Sequence, residues 1–145
     1  FPCYDEPKYK ATFAISITRP VDGFNPTISN MKLDKNETVG EHKLREYFHT
    51  TPPTSTYLLA FIVSGYKNVA SNNNEARPFD IYARSNIGDT GDYSLEVGTR
   101  LLEAMEEYTG YEYYKLTDKN NVVYNMNMKQ AAIPDFSAGA MENWG

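Results

Sequence analysis

Few residues here have the type and spacing to do chemistry. His42 and His49 lie seven apart with Glu41 and Glu46 nearby, which invites a metal reading. Two ligands on one helix face need a spacing of four, and seven residues of strand would put them on opposite faces of a sheet. Both are therefore read as surface histidines. No serine stands in a Gly-x-Ser-x-Gly turn, and Cys3 has no basic neighbour in sequence to activate it, so it is read as a small buried hydrophobe. Tyr108, Tyr111, Tyr113 and Tyr114 could line an aromatic pocket, but a single aromatic stripe more commonly packs a helix end. What remains is Ala138-Gly139-Ala140-Met141-Glu142-Asn143, small residues closing on one carboxylate. Small residues let backbone approach a ligand, and a partly buried Glu needs a cationic partner. Both facts suit substrate binding, and both are also compatible with a plain strand start.

The elements that would carry these residues fall into two periods. Phe13, Ile15 and Ile17 alternate with Thr12, Ala14, Ser16 and Thr18, which predicts a half-buried strand over 11–18. Ile28–Leu33 and Leu44–His49 read as two more, the last ended by Thr51-Pro52-Pro53 because proline cannot donate to a ladder. The run Tyr57–Val63 reads as a central strand covered on both faces, and Phe79–Ala83 as a further strand. After residue 88 the period becomes helical. Tyr93, Val97, Leu101, Met105 and Tyr108 share one side, and Glu96 and Arg100 form an i to i+4 pair on the other. This predicts a helix over about 90–109, started by Asp89 or Thr90 and closed by a left-handed Gly110.

Charge marks the same division. Residues 1–85 carry 10 basic and 9 acidic side chains and residues 86–145 carry 4 and 10, which places a boundary near residue 85. The formal net charge of −5, with no clustered Lys/Arg face, excludes a nucleic-acid binder. No apolar run approaches the roughly 18 residues needed to span a bilayer, and no signal leader opens the chain. Both ends read as cuts within a longer protein. Asn36-Glu37-Thr38 is a glycosylation sequon, with Asn36 the candidate acceptor, whereas Asn25-Pro26-Thr27 is excluded by its proline.

Several stretches resemble one family closely. Phe1-Pro2-Cys3-Tyr4-Asp5-Glu6-Pro7 with Lys10-Ala11-Thr12-Phe13, then Ser55-Thr56-Tyr57-Leu58-Leu59-Ala60-Phe61, then Pro134-Asp135-Phe136 leading into Gly139–Gly145, are similar to the gluzincin zinc aminopeptidases, specifically the aminopeptidase N group. They occur in that family's order and at about its spacing. Tyr124–Ala132 looks most like insect, lepidopteran, midgut enzymes. The resemblance implies a fold that is mainly β with some α: a saddle-like antiparallel β amino-terminal domain over 1–85, then the start of a thermolysin-like α/β catalytic domain over 86–145. That second part would hold a substrate-binding strand over about 137–145. It further implies that Glu142 grips the α-ammonium of a peptide substrate while Gly139, Ala140 and Met141, with Asn143 beside them, bind its backbone and line the first side-chain pocket. In the family, zinc is held by a HExxH helix and a later Glu. Neither motif occurs in this sequence, so no catalytic or metal-binding residue is assigned here and the chain alone is expected to be inactive.

Two departures stand out. Thr54 occupies a position usually held by Met, and a longer asparagine-rich stretch ending in Lys129-Gln130 replaces the usual Pro-Leu-Pro-Lys approach. The resemblance also implies a place on the extracellular face of the plasma membrane, held there by a lipid anchor, or else a membrane stalk, in segments outside these residues. Lepidopteran relatives also serve as receptors for bacterial crystal toxins. The competing readings are therefore a toxin-binding piece, docking through strand edges and the Asn72–Arg77 loop, and a catalytically dead scaffold.

Overall fold

A computed structural model describes residues 1–144; Gly145, the last residue of the expected 137–145 strand, lies outside the described residues. The chain divides into two compact units, one of Phe1–Gly65 with the segment beginning at Phe136, the other Tyr66–Asp135. Among the described residues most strands are antiparallel and there is one α-helix, as the alternation and period predict.

The first unit contains β1 (Lys10–Ala11), β2 (Ser16–Pro20), β3 (Ile28–Ser29), β4 (Leu33–Val39), β5 (Lys43–Phe48), β6 (Thr54–Ser55) and β7 (Phe61–Ile62). Its main sheet has the order β2-β5-β4, all antiparallel, flanked by the short pairs β1-β6 and β3-β7. The 11–18 alternation holds in burial: Phe13, Ile15 and Ile17 are half-buried between exposed neighbours. The ladder itself is split, because residues 12–15 face 48–51 through spaced bonds such as Thr51 N–H to the Phe13 carbonyl.

Three expectations change here. The Ile28–Leu33 strand ends after Ser29, and Leu33 opens a different strand, because Asn30 turns its amide onto a neighbouring segment. Leu33–Val39 was not expected as a strand, since Leu-Asp-Lys-Asn-Glu-Thr-Val has no alternation. It forms as the exposed outer edge of the sheet, hydrogen-bonded to β5. The Tyr57–Val63 run is not a covered central strand. It makes a 3-10 turn over Thr56–Leu58, then the two-residue β7, and Tyr57 and Phe61 are exposed. Side chains have taken its backbone groups: Asn30 Oδ1 accepts the Ala60 N–H, Ser29 Oγ donates to the Ala60 carbonyl, and Asn30 Nδ2 donates to the Leu58 carbonyl. Backbone bonded to side chains cannot also form a ladder.

The interior of this unit is markedly polar. Arg19 and Glu46, 5% and 1% exposed, form a bidentate pair at 2.9 and 3.2 Å. Glu46 also accepts the Thr27 N–H, and Arg19 donates to the Pro20 and Phe24 carbonyls.

The second unit contains β8 (Lys67–Ser71), β9 (Phe79–Ala83), the helix α1 (Thr90–Thr109) and β10 (Met128–Ala131). β8 pairs antiparallel with β9, and β10 pairs parallel with β9, the helix lying in the crossover that a parallel pair requires. β8 and β10 were not expected, because Lys67-Asn68 and Lys129-Gln130 disguise them as polar loop. Asp89 stands at the helix start without a capping side-chain bond, while Thr90 Oγ1 donates to the Ile87 carbonyl. Gly110, at φ 73°, ends the helix, its N–H donating to the Glu106 carbonyl. The Glu96–Arg100 pair forms at 2.9 Å.

The helix periodicity is right, but the packed face is neither the predicted apolar stripe nor the Glu96–Arg100 side, which is exposed as well. Tyr93, Leu101, Met105 and Tyr108 are exposed, and α1 packs on β8 and β9 through Gly91, Leu95 and Gly98. A Cβ on Gly98 would stand 2.6 Å from Phe79 Cζ, and one on Gly91 3.1 Å from Val69 Cγ2. At Gly98 a larger residue would have to displace the Phe79 ring, and at Gly91 it would have to push Val69 aside by a few tenths of an ångström. Phe79, Ala70 and Ile81 form the core, lined by Val69, Leu95 and Met128.

Candidate functional site

The segment that sequence reasoning singled out belongs to the first unit. Asp135, in the left-handed region at φ 55°, turns the chain ahead of it. From there Phe136 and Gly139–Glu142 are exposed, and Asn143 and Trp144 are half-buried. No strand forms over 137–144, because none of the described residues offers this backbone a ladder partner. A Cβ on Gly139 would meet nothing within 4 Å, so the surroundings here leave its backbone open to approach.

Two carboxamides fasten the far end of the segment. Asn143 Nδ2 donates to the Leu58 carbonyl at 2.9 Å, and Asn30 Nδ2 donates to the Trp144 carbonyl at 2.7 Å. Asn143 N–H also closes a tight turn onto the Met141 carbonyl at 3.1 Å. Asn143 therefore spends its side chain on holding the segment, while Met141 and Glu142 are left exposed beside it. Asn30 was missed by sequence reasoning. Its one visible signal is an amide set among the apolar Ile28 and Met31, where a strand would favour a β-branched or aromatic residue.

Other candidates resolve separately. Cys3 is exposed, which corrects the buried-hydrophobe reading; its neighbours Phe1, Pro2 and Tyr4 are exposed too, so no core forms around it. Tyr113 and Tyr114 pack edge to face at 4.9 Å, Tyr114 donates to the Pro78 carbonyl, and Tyr108 and Tyr111 are exposed, so no four-tyrosine pocket forms. Burial pushes the Tyr114 hydroxyl up to about 12. Arg77 bridges Glu106 at 2.7 Å and lies over the Tyr114 ring. The Asn72 amide organises its loop internally, Oδ1 accepting from Asn74 and Phe79 N–H and Nδ2 donating to Arg77. Asn36 is exposed on the outer edge strand β4.

His42 lies 3.9 Å from Glu41 and His49 lies 3.8 Å from Asp34, with no third donor at either. Among the described residues no three His, Cys, Asp or Glu side chains converge as metal ligands. The donor set does not fit zinc, and no chemistry of this chain is derived through a metal. No described helix is long and apolar enough to cross a membrane.

The β layer and the order of motifs agree with one class of protein. Residues 1–58 match the Peptidase M1 N-terminal domain. Over 145 residues the chain is 59% identical to a membrane alanyl aminopeptidase of Manduca sexta, covering all of this chain and 14% of that protein. It is 43% identical to the membrane alanyl aminopeptidase of Heliothis virescens and 41% identical to endoplasmic reticulum aminopeptidase 1 of Rattus norvegicus, again across the whole chain and 14% of each relative. The chain carries the match to the Peptidase M1 N-terminal domain over residues 1–58, is similar to these aminopeptidases along its whole length, and spans about one-seventh of the length of the curated relatives it matches.

Proposed function

We propose that this chain is the part of a zinc-dependent, membrane-associated aminopeptidase that receives the free amino terminus of a peptide. Residues 1–85 would belong to the amino-terminal β domain and 86–145 to the opening of the catalytic domain, with the zinc ligands supplied by the rest of the protein. The observation that carries this reading is the contrast within one short segment. Asn143 and Trp144 are held by side-chain amides, and the adjoining Gly139–Glu142 is exposed with open backbone. A held flank beside a free carboxylate suits recognition of an ammonium at fixed distance from a cleavage point. A carboxylate–ammonium hydrogen bond is charge-assisted and worth roughly 1.5–3 kcal/mol. Because only a chain end carries that ammonium, the contact would make the enzyme an exopeptidase. Asn36, on its exposed edge, is the candidate glycan acceptor.

In the full-length protein, Glu142→Gln should lower kcat/KM for aminoacyl substrates by about one to two orders of magnitude, reading tenfold as 1.4 kcal/mol. Unchanged kinetics would remove Glu142 from the role. The 145-residue chain alone should release no amino acid from an aminoacyl chromogenic substrate, with or without added zinc.

A further inference from the structure

Asn30 is 3% exposed, among the most buried polar residues of the first unit. Its side chain joins two segments remote in sequence. Oδ1 accepts the Ala60 N–H at 2.8 Å, and Nδ2 donates to the Leu58 carbonyl at 3.0 Å and to the Trp144 carbonyl at 2.7 Å. The Leu58 carbonyl in turn accepts from Asn143. Asn30 and Asn143 thus converge on one carbonyl of the 56–60 turn and lash residues 143–144 to it. Trp144 lies two residues beyond Glu142, a reach of about 7 Å of extended chain, so a shift at the tie is felt at the carboxylate.

We infer that Asn30 is a positioning residue for the amine clamp, setting where Glu142 stands without touching substrate; this rests on the assignment of Glu142 proposed above. Only a carboxamide does this work. It offers one acceptor and two donor hydrogens at a single tip, whereas Asp would set a carboxylate against two carbonyls and Ser has one hydrogen to give. A purely structural Asn30 would stabilise the unit and influence all ligands alike. A positioning Asn30 acts on ligands that carry an α-amine.

The test uses the full-length enzyme and two competitive inhibitors, an α-amino acid hydroxamate and the same hydroxamate lacking the α-amine. Glu142→Gln, Asn30→Ala and the double variant are compared by inhibition constants and by thermal unfolding. Asn30→Ala should weaken the amine-bearing inhibitor about tenfold, the worth of a lost hydrogen bond, and leave the amine-less one unchanged. The double variant should be no worse than Glu142→Gln alone, since both changes disable one contact. If Glu142→Gln weakens the amine-bearing inhibitor selectively while Asn30→Ala affects both inhibitors equally or neither, the positioning role is overturned and the clamp stands. If Glu142→Gln has no selective effect, the clamp falls and the inference with it. Should Asn30→Ala fail to fold, Asn143→Ala, which cuts the tie to Leu58 from the clamp side, must show the same selective loss; equal or absent effects there overturn the inference.

Discussion

The two compact units differ in what they bury most deeply. In the first, the residues at 5% exposure or less are mostly polar, Thr51, Glu46, Thr54, Asn30, Ser29, Ser55 and Arg19 beside the apolar Met31; in the second they are Ala83, Phe79, Met126 and Ile81. An apolar interior needs volume and close approach, and tolerates exchange of one hydrocarbon for another. A polar interior needs particular partners at particular distances, and punishes the loss of one. The unit with the polar interior also holds the candidate substrate segment, fastened by amides whose geometry leaves little freedom.

The largest expected effect tests the polar side of that contrast. Arg19→Ala would leave Glu46 buried with only the Thr27 N–H as neutral partner, costing about 3–5 kcal/mol in denaturant unfolding of the first unit. Arg19→Met with Glu46→Leu should recover most of that loss, because replacing both members of a buried pair with hydrocarbon is commonly neutral. A single variant that unfolds like the parent would mean the pair is solvated in solution and the contrast false.

The apolar side has its own test. Gly98→Ala forces a methyl against the Phe79 ring, which is itself 2% exposed and has nowhere to retreat. Overpacking of this kind costs about 1–3 kcal/mol and should lower the unfolding midpoint of the second unit. Gly139→Ala, with nothing within 4 Å, should leave the unfolding of its own unit unchanged.

Titration should separate the units further. Burial alone would raise the Glu46 carboxyl, but hydrogen bonds from Arg19 and Thr27 outweigh it and hold it below its ordinary 4.5. A lowered folded value means the stabilisation is present above 4.5 and is lost as pH falls through the lower folded value, so the first unit should weaken in acid. Lys129 is different. Burial pushes its amine down to about 7, only partly offset by Asp80 across the ladder, while Nζ donates to the Asn127 carbonyl. Between about 7 and 10.5 the unfolded chain binds more protons than the folded one, so the second unit should gain stability as pH rises through that window. Lys129→Met should flatten this limb; a limb that persists must come from another group.

How much of this was legible follows from the same chemistry. The 11–18 alternation and Phe79–Ala83 were readable because their periodicity reports burial of apolar side chains, whereas the 90–109 helix was readable from its period although most of the stripe that shows it is exposed. Asn30 was not, since an amide that bonds backbone 28 to 114 residues away leaves no period. The same amide turned Tyr57–Val63 from an expected covered strand into a turn. Leu33–Val39 escaped because an exposed edge strand is fixed by its ladder rather than by its side chains. The clamp residues were legible only through resemblance to a family, and composition left Gly139–Glu142 compatible with an ordinary strand.

The smallest expected effect bears on the helix, where pattern and packing part company. Leu101 and Met105 look like core by spacing, yet they are 60% and 53% exposed, and the face that meets the sheet is the one with Gly91, Leu95 and Gly98. If that is the face that packs in solution, Leu101→Glu in the 145-residue chain changes a side chain that is already mostly exposed and should change stability by no more than about 0.5 kcal/mol. It sits three residues from Gly98, so the two substitutions sample one helix turn and load different sides of it. Equal losses from Leu101→Glu and Gly98→Ala would mean that the outer stripe is covered. Sedimentation of the chain at several concentrations would then decide whether a second copy covers it, because only self-association makes the loss depend on concentration. A small loss for Leu101→Glu beside a large one for Gly98→Ala would establish that close approach at glycine, rather than the apolar stripe, fixes how this helix sits on its sheet.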